Sequence, residues 1–389
     1  MSRLGALSAS AMRAAKTSSY WIARLVNAGA AQQLADWVVT DSAGYVYGYT
    51  YTNNRLSKYD STGVKQWEYT LTGISSGARL VIDSSNNLII AGNSGSTAGV
   101  VAKINTSGSV QWSKSYSGTS SFSGLAVDSS NNIYLGATNK IIVLDSSGSV
   151  SWAKNLPFTP RSIAYYGGNI VFSGGSGATS NYWKMDTSGA IVWQSQDTSA
   201  TESIDNIKAD SSGDYIMTGS ITISSVVYPL LLKISSSGSI TWQYSLSTSG
   251  GSNPNNNIDT DSSNNIYWIA STATTSMLAK LNSSASISWQ NSINQRALSA
   301  SGISLQSSLN VYVGLQQLYK LPTNGTKTGT YAFSSPTTSI TYSSSSYSLN
   351  STSISLSTTT STITSATITL GSPGVAATAG TFTAQKITL

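Results

Sequence analysis

This chain of 389 residues contains no cysteine and no histidine. Without cysteine it cannot form disulfide bonds, use a thiolate nucleophile or bind zinc through thiolates. Without histidine it lacks the commonest general base and metal ligand, and a Ser-His-Asp triad is excluded. From these absences we expect no catalytic residue, no cofactor and no metal ion.

Charged residues are also scarce, at 9% of the chain, and serine, threonine, asparagine and glycine are abundant. The net charge is +6, and four of these charges belong to Arg3, Arg13, Lys16 and Arg24, which have no acidic residue among them. The remaining chain is close to neutral and has no broad basic face of the kind that binds nucleic acid. We therefore expect no nucleic-acid partner.

No apolar run approaches the roughly 18 residues that a membrane-spanning helix needs, so no membrane span is expected. The first residues also lack the continuous apolar core of a secretory signal. Residues 1–17 are interpreted as a basic arm that docks on a partner. An organelle transit peptide and a disordered tail are the alternatives.

A tryptophan recurs along the chain, four residues after a glycine, at intervals of 40 to 49 residues. The pairs are Gly63 and Trp67, Gly108 and Trp112, Gly148 and Trp152, Gly189 and Trp193, and Gly238 and Trp242, followed by Ala285 and Trp289. A period of this length, with several short strands in each repeat, is typical of a β-propeller. The repeat therefore predicts an all-β fold.

Three features divide each repeat into four strands. A turn that begins with aspartate, as in Asp83–Asn87, separates the first two apolar runs. A third run contains a lysine and ends in a tight turn, as from Lys103 to Gly108, and the tryptophan lies in the fourth run. The first turn occurs seven times if Tyr165 and Gln306 mark two degenerate copies. The sequence therefore predicts a seven-bladed β-propeller of four-stranded blades.

The repeated tryptophans are predicted to pack between neighbouring blades. A blade cannot bury its faces alone, and large flat side chains fill the wedge between two blades. The predicted blade-packing residues are Trp21, Trp67, Trp112, Trp152, Trp193, Trp242 and Trp289. The alternative for this set is an aromatic platform for sugars. Trp183 and Trp268 lie outside the repeated position and are predicted to be surface aromatics.

The two ends of the repeat are irregular. The last copy lacks its tryptophan, because Gly329 stands four residues after Gly325, while Trp21 has no first three strands of its own. We therefore predict that residues 18–26 complete the last blade and close the ring, which covers two sheet edges that otherwise invite aggregation. The alternative is that residues 326–333 supply the last strand.

Two kinds of segment resemble known propeller families. DSSNNIYLG and VAKINTSGSVQWSK resemble the bacterial β-propeller repeat of surface and secreted proteins, and KYDSTGVKQWEYTL is similar to the repeat of quinoprotein-like (PQQ-like) propellers. The resemblance covers residues 18–333 and implies the fold. This chain differs from quinoprotein enzymes in its acidic residues. As the resemblance implies, those enzymes bind pyrroloquinoline quinone with calcium through acidic and amide ligands. Here the acidic residues lie mostly in repeated turns, with Glu68 and Glu202 the only glutamates, so no catalytic residue or cofactor ligand is carried over.

Two patterns of acidic residues could indicate a calcium site or a pair of catalytic carboxylates. Turns such as Asp83–Asn87 lack the acidic ligands of a calcium loop and are interpreted as Asx turns. Asp259 with Asp261, and Asp210 with Asp214, are candidates by proximity alone for the paired carboxylates of glycoside cleavage.

The longest insertion between blades is the polar segment 247–257. Long polar loops on a rigid scaffold commonly bind ligands. The candidate binding residues are Asn253, Asn255, Asn256 and Asn257. A tolerated surface insertion is the alternative.

The composition changes at about residue 334. Residues 334–389 contain one charged side chain, Lys386, and no tryptophan. Alternation of apolar and hydroxyl residues predicts strands, and uncharged strands of this kind are prone to edge pairing. We therefore predict a Ser/Thr-rich β segment that anchors the protein or assembles with a partner chain, with a mucin-like stalk as the alternative. The predicted divisions are an arm at 1–17, a propeller at 18–333 and this segment at 334–389.

The composition is typical of an extracellular protein, yet no secretory signal is recognised. A bacteriophage protein, assembled in the cytosol and released by lysis, satisfies both observations. We predict a non-enzymatic structural or binding protein of a phage virion, associated with the tail or a fibre and facing the host. Its partners would be other virion proteins or a second copy, through the arm and the C-terminal segment, and a host-surface glycan or protein. A bacterial surface or extracellular propeller that binds glycan or protein is the alternative, and a quinoprotein-like or glycan-cleaving enzyme is the third hypothesis.

Overall fold

The short apolar runs separated by turn residues form β-strands, and no helix is present among the described residues. Accordingly, no helix in this part of the chain is long and apolar enough to cross a membrane. A computed structural model of the chain describes residues 20–27, 30–32, 36–50, 54–95, 98–176, 179–197, 202–250, 256–294, 302–306, 310–315, 318–326, 329–334, 337–344, 346, 349–351, 357–358, 364–365, 370–371, 376–379 and 383–388.

The strands up to residue 322 are β1 (Trp21–Asn27), β2 (Ala30–Gln32), β3 (Trp37–Thr40), β4 (Val46–Thr50), β5 (Arg55–Tyr59), β6 (Lys65–Thr72), β7 (Ser75–Ile82), β8 (Leu88–Ser94), β9 (Ala98–Ile104), β10 (Val110–Tyr116), β11 (Phe122–Val127), β12 (Ile133–Ala137), β13 (Lys140–Leu144), β14 (Val150–Asn155), β15 (Thr159–Tyr166), β16 (Asn169–Ser176), β17 (Thr179–Asp186), β18 (Ile191–Asp197), β19 (Glu202–Ala209), β20 (Tyr215–Ile223), β21 (Val226–Ile234), β22 (Ile240–Leu246), β23 (Asn256–Thr260), β24 (Ile266–Ser271), β25 (Ser276–Leu281), β26 (Ile287–Ile293), β27 (Gly302–Gln306), β28 (Asn310–Gly314) and β29 (Leu318–Pro322). The later strands are β30 (Gly329–Ser334), β31 (Thr337–Ser344), β32 (Leu349–Ser351), β33 (Ser357–Thr358), β34 (Thr364–Ser365), β35 (Leu370–Gly371), β36 (Ala376–Ala379) and β37 (Thr383–Thr388).

These strands form seven antiparallel sheets, the blades. Strands β3 to β6 pair in order to make the first blade, each following group of four makes the next blade, and β27, β28, β29 and β1 make the seventh. The innermost strands contact one another in a closed circle, through β3, β7, β11, β15, β19, β23 and β27. Apolar side chains fill the spaces between neighbouring sheets. The predicted seven-bladed β-propeller of four-stranded blades is confirmed.

The aspartate turn holds the first hairpin of a blade and also joins neighbouring blades. Asp83 Oδ1 accepts a hydrogen bond of 2.8 Å from the backbone N–H of Asn87, and Lys103 Nζ lies 2.8 Å from the other carboxylate oxygen. Asn86 adopts φ 63°, a left-handed conformation that asparagine tolerates. Its side-chain oxygen accepts a hydrogen bond of 3.2 Å from the backbone N–H of Ser42 in the preceding blade. Asp83 Oδ1 also accepts a hydrogen bond of 2.9 Å from the backbone N–H of Ser85, two residues on, which is the bond that defines an Asx turn.

The repeated tryptophans from Trp67 to Trp289 contact the following blade. Five indole N–H groups donate to a turn carbonyl of that blade: Trp67 to Thr106 (3.1 Å), Trp152 to Thr187 (2.9 Å), Trp193 to Ser236 (3.1 Å), Trp242 to Ser283 (3.3 Å) and Trp289 to Thr323 (2.8 Å). The ring also lies against the glycine of the same turn, where a Cβ on Gly238 would stand 2.9 Å from the Trp193 ring. Gly148, Gly189 and Gly325 likewise lie against the tryptophan of the repeat before them, whereas Gly108 lies against Tyr69. The contact between glycine and tryptophan accounts for the recurrence of both residues in these copies.

The N-terminal strand closes the ring. β1 pairs antiparallel with β29, so that Trp21 stands opposite Lys320 and Ala23 opposite Leu318. The predicted closure by the N-terminal strand is confirmed. The alternative, closure by residues 326–333, is wrong, because β30 pairs with β31 in the sheet of the sixth blade.

The chain beyond the seventh blade winds back around the ring. β31 pairs with β26, the outer strand of the sixth blade, and β32 to β36 pair in turn with the outer strands of the fifth, fourth, third, second and first blades. β37 then pairs along β1, which lies between β29 and β37. We call β31–β37 the C-terminal belt. It adds a further strand to the outer edge of every blade.

The belt gives residues 334–389 a place at the outer edges of the blades. Strands are present there, as the alternating pattern predicts, and the described ones pair with the chain's own blades. The physical reason is that every four-stranded blade leaves an outer row of backbone N–H and C=O groups open. A tethered segment reaches these edges without the entropic cost of binding a second molecule. Anchoring or assembly through this segment stays a prediction.

Trp183 and Trp268, predicted to be surface aromatics, are fully buried, and that prediction was wrong. They lie in β17 and β24, which are middle strands of their blades. Trp183 packs edge-on against Phe158, with ring centroids 5.3 Å apart. The middle strands of a blade are covered on both faces by its neighbours, so a tryptophan away from the repeated position still reaches the core.

A chain that begins at residue 36 lacks β1 and should unfold more easily than the full chain, because β29 and β37 both lose their partner. At about 1 kcal/mol for each backbone hydrogen bond, we expect the free energy of unfolding to fall by at least about 3 kcal/mol. Urea unfolding followed by tryptophan fluorescence measures the change. A chain that begins at residue 20 keeps β1 and is the control, and equal stability of the two shortened chains would contradict closure by β1.

Replacement of a repeated tryptophan by phenylalanine keeps a ring and removes the indole N–H. Trp289→Phe should lower the free energy of unfolding by about 1 kcal/mol, because the hydrogen bond to Thr323 is lost. Trp112→Phe is the matched control and should cost less, since the Trp112 N–H is buried without a hydrogen-bond partner among the described residues. If both variants lose the same free energy of unfolding in urea, the smaller ring causes the destabilisation and the lost hydrogen bond does not.

Candidate binding site in the central cavity

The innermost strands of the seven blades surround a cavity of about 380 Å³. Its lining includes Trp37 of the first blade, Arg79 of the second, Arg161 of the fourth, Lys208 of the fifth and Ser304 of the seventh. The closed circle of inner strands therefore brings together polar side chains that are far apart in the sequence.

β-Bulges position the charged residues at this cavity. The register of β15 against β16 shifts at Arg161, and that of β19 against β20 shifts at Asp205. A similar shift in β7 immediately precedes Arg79. A glycine of the neighbouring strand lies beside each of the first two bulges. Gly174 faces the backbone of β15 and Gly219 faces that of β19, and a Cβ on either glycine would collide with it. A bulge changes the direction in which a side chain points, and bulges are common next to binding and active sites.

Two arginines form a connected pair at the cavity. Arg79 lies over the Trp37 ring, with its guanidinium carbon 4.5 Å from the ring centroid, in cation–π geometry. Arg79 Nη2 donates to the Arg161 carbonyl at 3.2 Å, and Arg161 Nη1 donates to the Ser203 hydroxyl at 2.7 Å. Burial lowers the pKa of Arg79 to about 10, and the charge of Asp205 acts against that shift. Arg79 therefore remains charged at neutral pH.

Asp205 is the acidic member of this group, which we call the Arg79–Arg161–Asp205 cluster. Burial raises the pKa of Asp205 to about 6, although the charges of Arg79 and Arg161 favour the ionised form. The carboxyl therefore changes its protonation between mildly acidic and neutral pH. With two cations and at most one anion, the cluster is positively charged throughout that range.

Of the two candidate carboxylate pairs named from the sequence, Asp210 and Asp214 come together on one lysine, whereas Asp259 and Asp261 contact different groups. Asp259 lies 3.2 Å from Lys208 Nζ, and Asp261 is part of its turn. Asp210 and Asp214 both contact Lys233 Nζ, at 2.8 and 3.1 Å. These carboxylates are engaged by lysines, and no group of three or more acidic side chains suited to a metal ion occurs within the described ranges.

A buried pair of carboxyl groups lies where the fourth blade meets the fifth, and no pattern in the sequence indicates it. Glu202 and Asp197 are both buried, and the Tyr182 hydroxyl donates to Glu202 Oε1 at 3.2 Å. Burial raises the pKa of Glu202 to about 7, and the hydrogen bond and charge of Asp197 act in the same direction. Two acids five residues apart form no recognised motif, so only the fold reveals this pair.

The predicted binding loop falls into two parts. Asn253 and Asn255 lie outside the described residues. Asn256 and Asn257 lie in the innermost strand β23, where both are buried, and the Asn256 side-chain amide donates to the Gly219 carbonyl at 2.6 Å. Asn257 lines the central cavity. The structure therefore places this pair in a strand at the cavity instead of in a surface loop.

The fold and the cavity define a seven-bladed β-propeller, and three solved structures show what it is similar to. A streptogramin B lyase has a TM-score of 0.57 at 15% identity and is matched over 77% of this chain and 97% of its own. The second is a catalytically inactive histidine-to-alanine variant of virginiamycin B lyase from Staphylococcus aureus, with quinupristin. It has a TM-score of 0.56 at 15% identity and is matched over 78% of this chain and 99% of its own. The third, BBS1N in complex with ARL6DN, has a TM-score of 0.50 at 12% identity and is matched over 74% of this chain and 92% of its own. At these identities the likeness shows the fold alone.

The sequence itself identifies the family. The profile of a PQQ-like family described as outer membrane protein assembly factor BamB matches residues 97–321, more than half of the chain. The chain therefore belongs to this family of PQQ-like β-propellers, and the resemblance of its sequence to PQQ-like propellers is confirmed. No curated protein matches the chain in sequence.

The Glu202 carboxyl should make stability depend on pH. Its folded-state pKa lies above that of an unfolded chain, so the free energy of unfolding falls as the pH rises through the glutamate range to above the folded value of about 7. Glu202→Gln removes this titration, and the variant should lose less stability than the wild type between about pH 4 and about pH 8. Urea unfolding at a series of pH values measures both profiles, and parallel profiles would contradict the raised pKa.

Proposed function

We propose that the protein is a non-enzymatic structural and binding component of a bacteriophage virion, associated with the tail or a fibre. It presents the faces of its propeller and the central cavity to solvent or to the host. The basic N-terminal arm docks it on neighbouring virion proteins. The observation that carries this proposal is that the chain covers the outer edge of every blade with its own belt.

The covered edges suit a particle component. A virion holds several copies of a protein at high local concentration, and open sheet edges would then pair between copies. In this chain β1 closes the ring and the belt pairs with all seven outer edges. The chain is rich in residues with hydroxyl and amide groups and low in charge. Contacts with neighbouring virion proteins are therefore made by side chains and by the N-terminal arm, and not by open strand edges.

The central cavity supports a binding role. The Arg79–Arg161–Asp205 cluster offers fixed hydrogen-bond donors and a net positive charge. The chain contains no histidine or cysteine, which are the usual partners in nucleophilic catalysis. Recognition of a ligand is therefore the simplest use of these groups.

A propeller of the bacterial envelope that binds protein or glycan is the second candidate. The match to a family described as an outer membrane protein assembly factor favours it. In that setting the same covered edges would prevent pairing with other β-rich envelope proteins.

Antibodies against the purified full chain distinguish the two settings. We expect them to detect the protein in purified phage particles in a fixed ratio to the major tail protein, and to label tails or fibres in immunogold micrographs. Envelope fractions of uninfected cells from the same culture are the control. Detection in those envelope fractions, with none in particles, would contradict the virion proposal and support the envelope propeller.

A further inference from the structure

We propose that the central cavity binds a sugar that carries a carboxylate, with Arg79 and Arg161 binding the carboxylate and Asp205 accepting hydrogen bonds from ring hydroxyls. This inference rests on the proposed binding function and deepens it by naming the class of ligand.

The first argument is the donor capacity of Arg79. A guanidinium has five N–H donors, and among the described residues the Arg79 side chain makes one hydrogen bond, to the Arg161 carbonyl. The stacking on Trp37 holds the guanidinium plane in place. Its remaining donors are available to the cavity that the residue lines. A planar group of this kind matches the two oxygens of a carboxylate.

The second argument is the arrangement of charge. Arg161 lies next to Arg79 and is oriented by its hydrogen bond to Ser203. Asp205, in the innermost strand β19, interacts electrostatically with both arginines. A ligand that brings both an anion and hydroxyl donors satisfies the arginines and Asp205 together.

The third argument is the cavity itself. A volume of about 380 Å³ lies at the lower end of the range for small-molecule sites and suits one or two sugar rings. The wall combines apolar side chains, such as Leu80 and Leu125, with uncharged polar ones, including Asn206, Asn257 and Ser304. Sugars present an apolar ring face and several hydroxyl groups, which are complementary to such a wall. A simple inorganic anion would use only the arginines.

The proposal is tested by titrating the full chain with glucuronate, N-acetylneuraminate, glucose, acetate and inorganic sulfate, using calorimetry or ligand-observed NMR. We expect binding of at least one acidic sugar at millimolar concentration or below, tighter than acetate or sulfate, and no binding of glucose. Arg79→Gln should weaken binding of the acidic sugar at least about tenfold, and Arg79→Lys should weaken it less, because the charge is kept and the planar donor is lost. Lys114→Gln, which removes a cation from the outer strand β10, is the control and should have no effect.

Asp205→Asn separates sugar recognition from anion binding. Removal of the negative charge should strengthen acetate binding, whereas the ratio of acidic-sugar to acetate affinity should fall because the carboxylate acceptor is lost. Arg161→Gln gives an independent variant if Arg79→Gln does not fold, as judged by thermal unfolding.

Three outcomes would overturn the proposal: no acidic sugar binds at about 10 mM, sulfate or glucose binds as tightly as the acidic sugar, or the affinity survives both arginine replacements. A chain that is found in particles but binds no acidic sugar overturns this inference alone. A chain that binds the sugar but is absent from particles overturns only the virion setting.

Discussion

The structure depends on how the backbone groups at sheet edges find partners. Each blade is a small sheet, and its outer strand would expose a row of N–H and C=O groups that pair readily with other chains. The ring itself also has to be closed, since the seventh blade contributes only β27, β28 and β29 from its own repeat. β1 supplies the missing strand, and β37 then covers β1. The remaining belt strands cover the other six blades, so a chain of low charge and high hydroxyl content avoids the aggregation that its strands would otherwise favour.

The cavity follows from the same architecture. Seven inner strands converge around one cavity, and the bulges in β7, β15 and β19 lie at or beside Arg79, Arg161 and Asp205, where they change the direction of the side chains. Glycines beside the bulges, such as Gly174 and Gly219, let the strands approach closely enough to keep the sheet paired. The scaffold thus holds two arginines and a carboxyl in fixed positions, which lowers the entropic cost of binding a ligand. Family membership indicates the scaffold, whereas the cluster is a property of this chain's own residues.

Periodicity explains which parts could be predicted from the sequence. The tryptophans recur once per blade, because each contacts a turn of the next blade, so the number of blades and the irregular position of Trp21 could be read from spacing alone. The belt could not be predicted in this way, since the alternation of Ser and Thr with apolar residues indicates a strand but not its partner. Arg79 and Arg161 stand 82 residues apart and belong to no repeated position, so their contact emerges only from the closed circle of strands. The prediction that Trp183 is a surface aromatic was wrong for a related reason. The spacing of the repeat does not show that both faces of a middle strand are buried.

Cross-linking across the belt tests the central claim, that the chain covers its own blade edges. The natural sequence has no cysteine, so two introduced thiols form a single defined pair. The variant with Ser195→Cys and Thr358→Cys places them at opposing positions of β18 and β33, and we predict an intramolecular disulfide in the monomer under mild oxidation. A mismatched variant with Ser195→Cys and Asn350→Cys should not cross-link, because Asn350 stands opposite Ser245 in another blade. Cross-links only between two chains, or equal cross-linking of the matched and mismatched variants, would contradict the account.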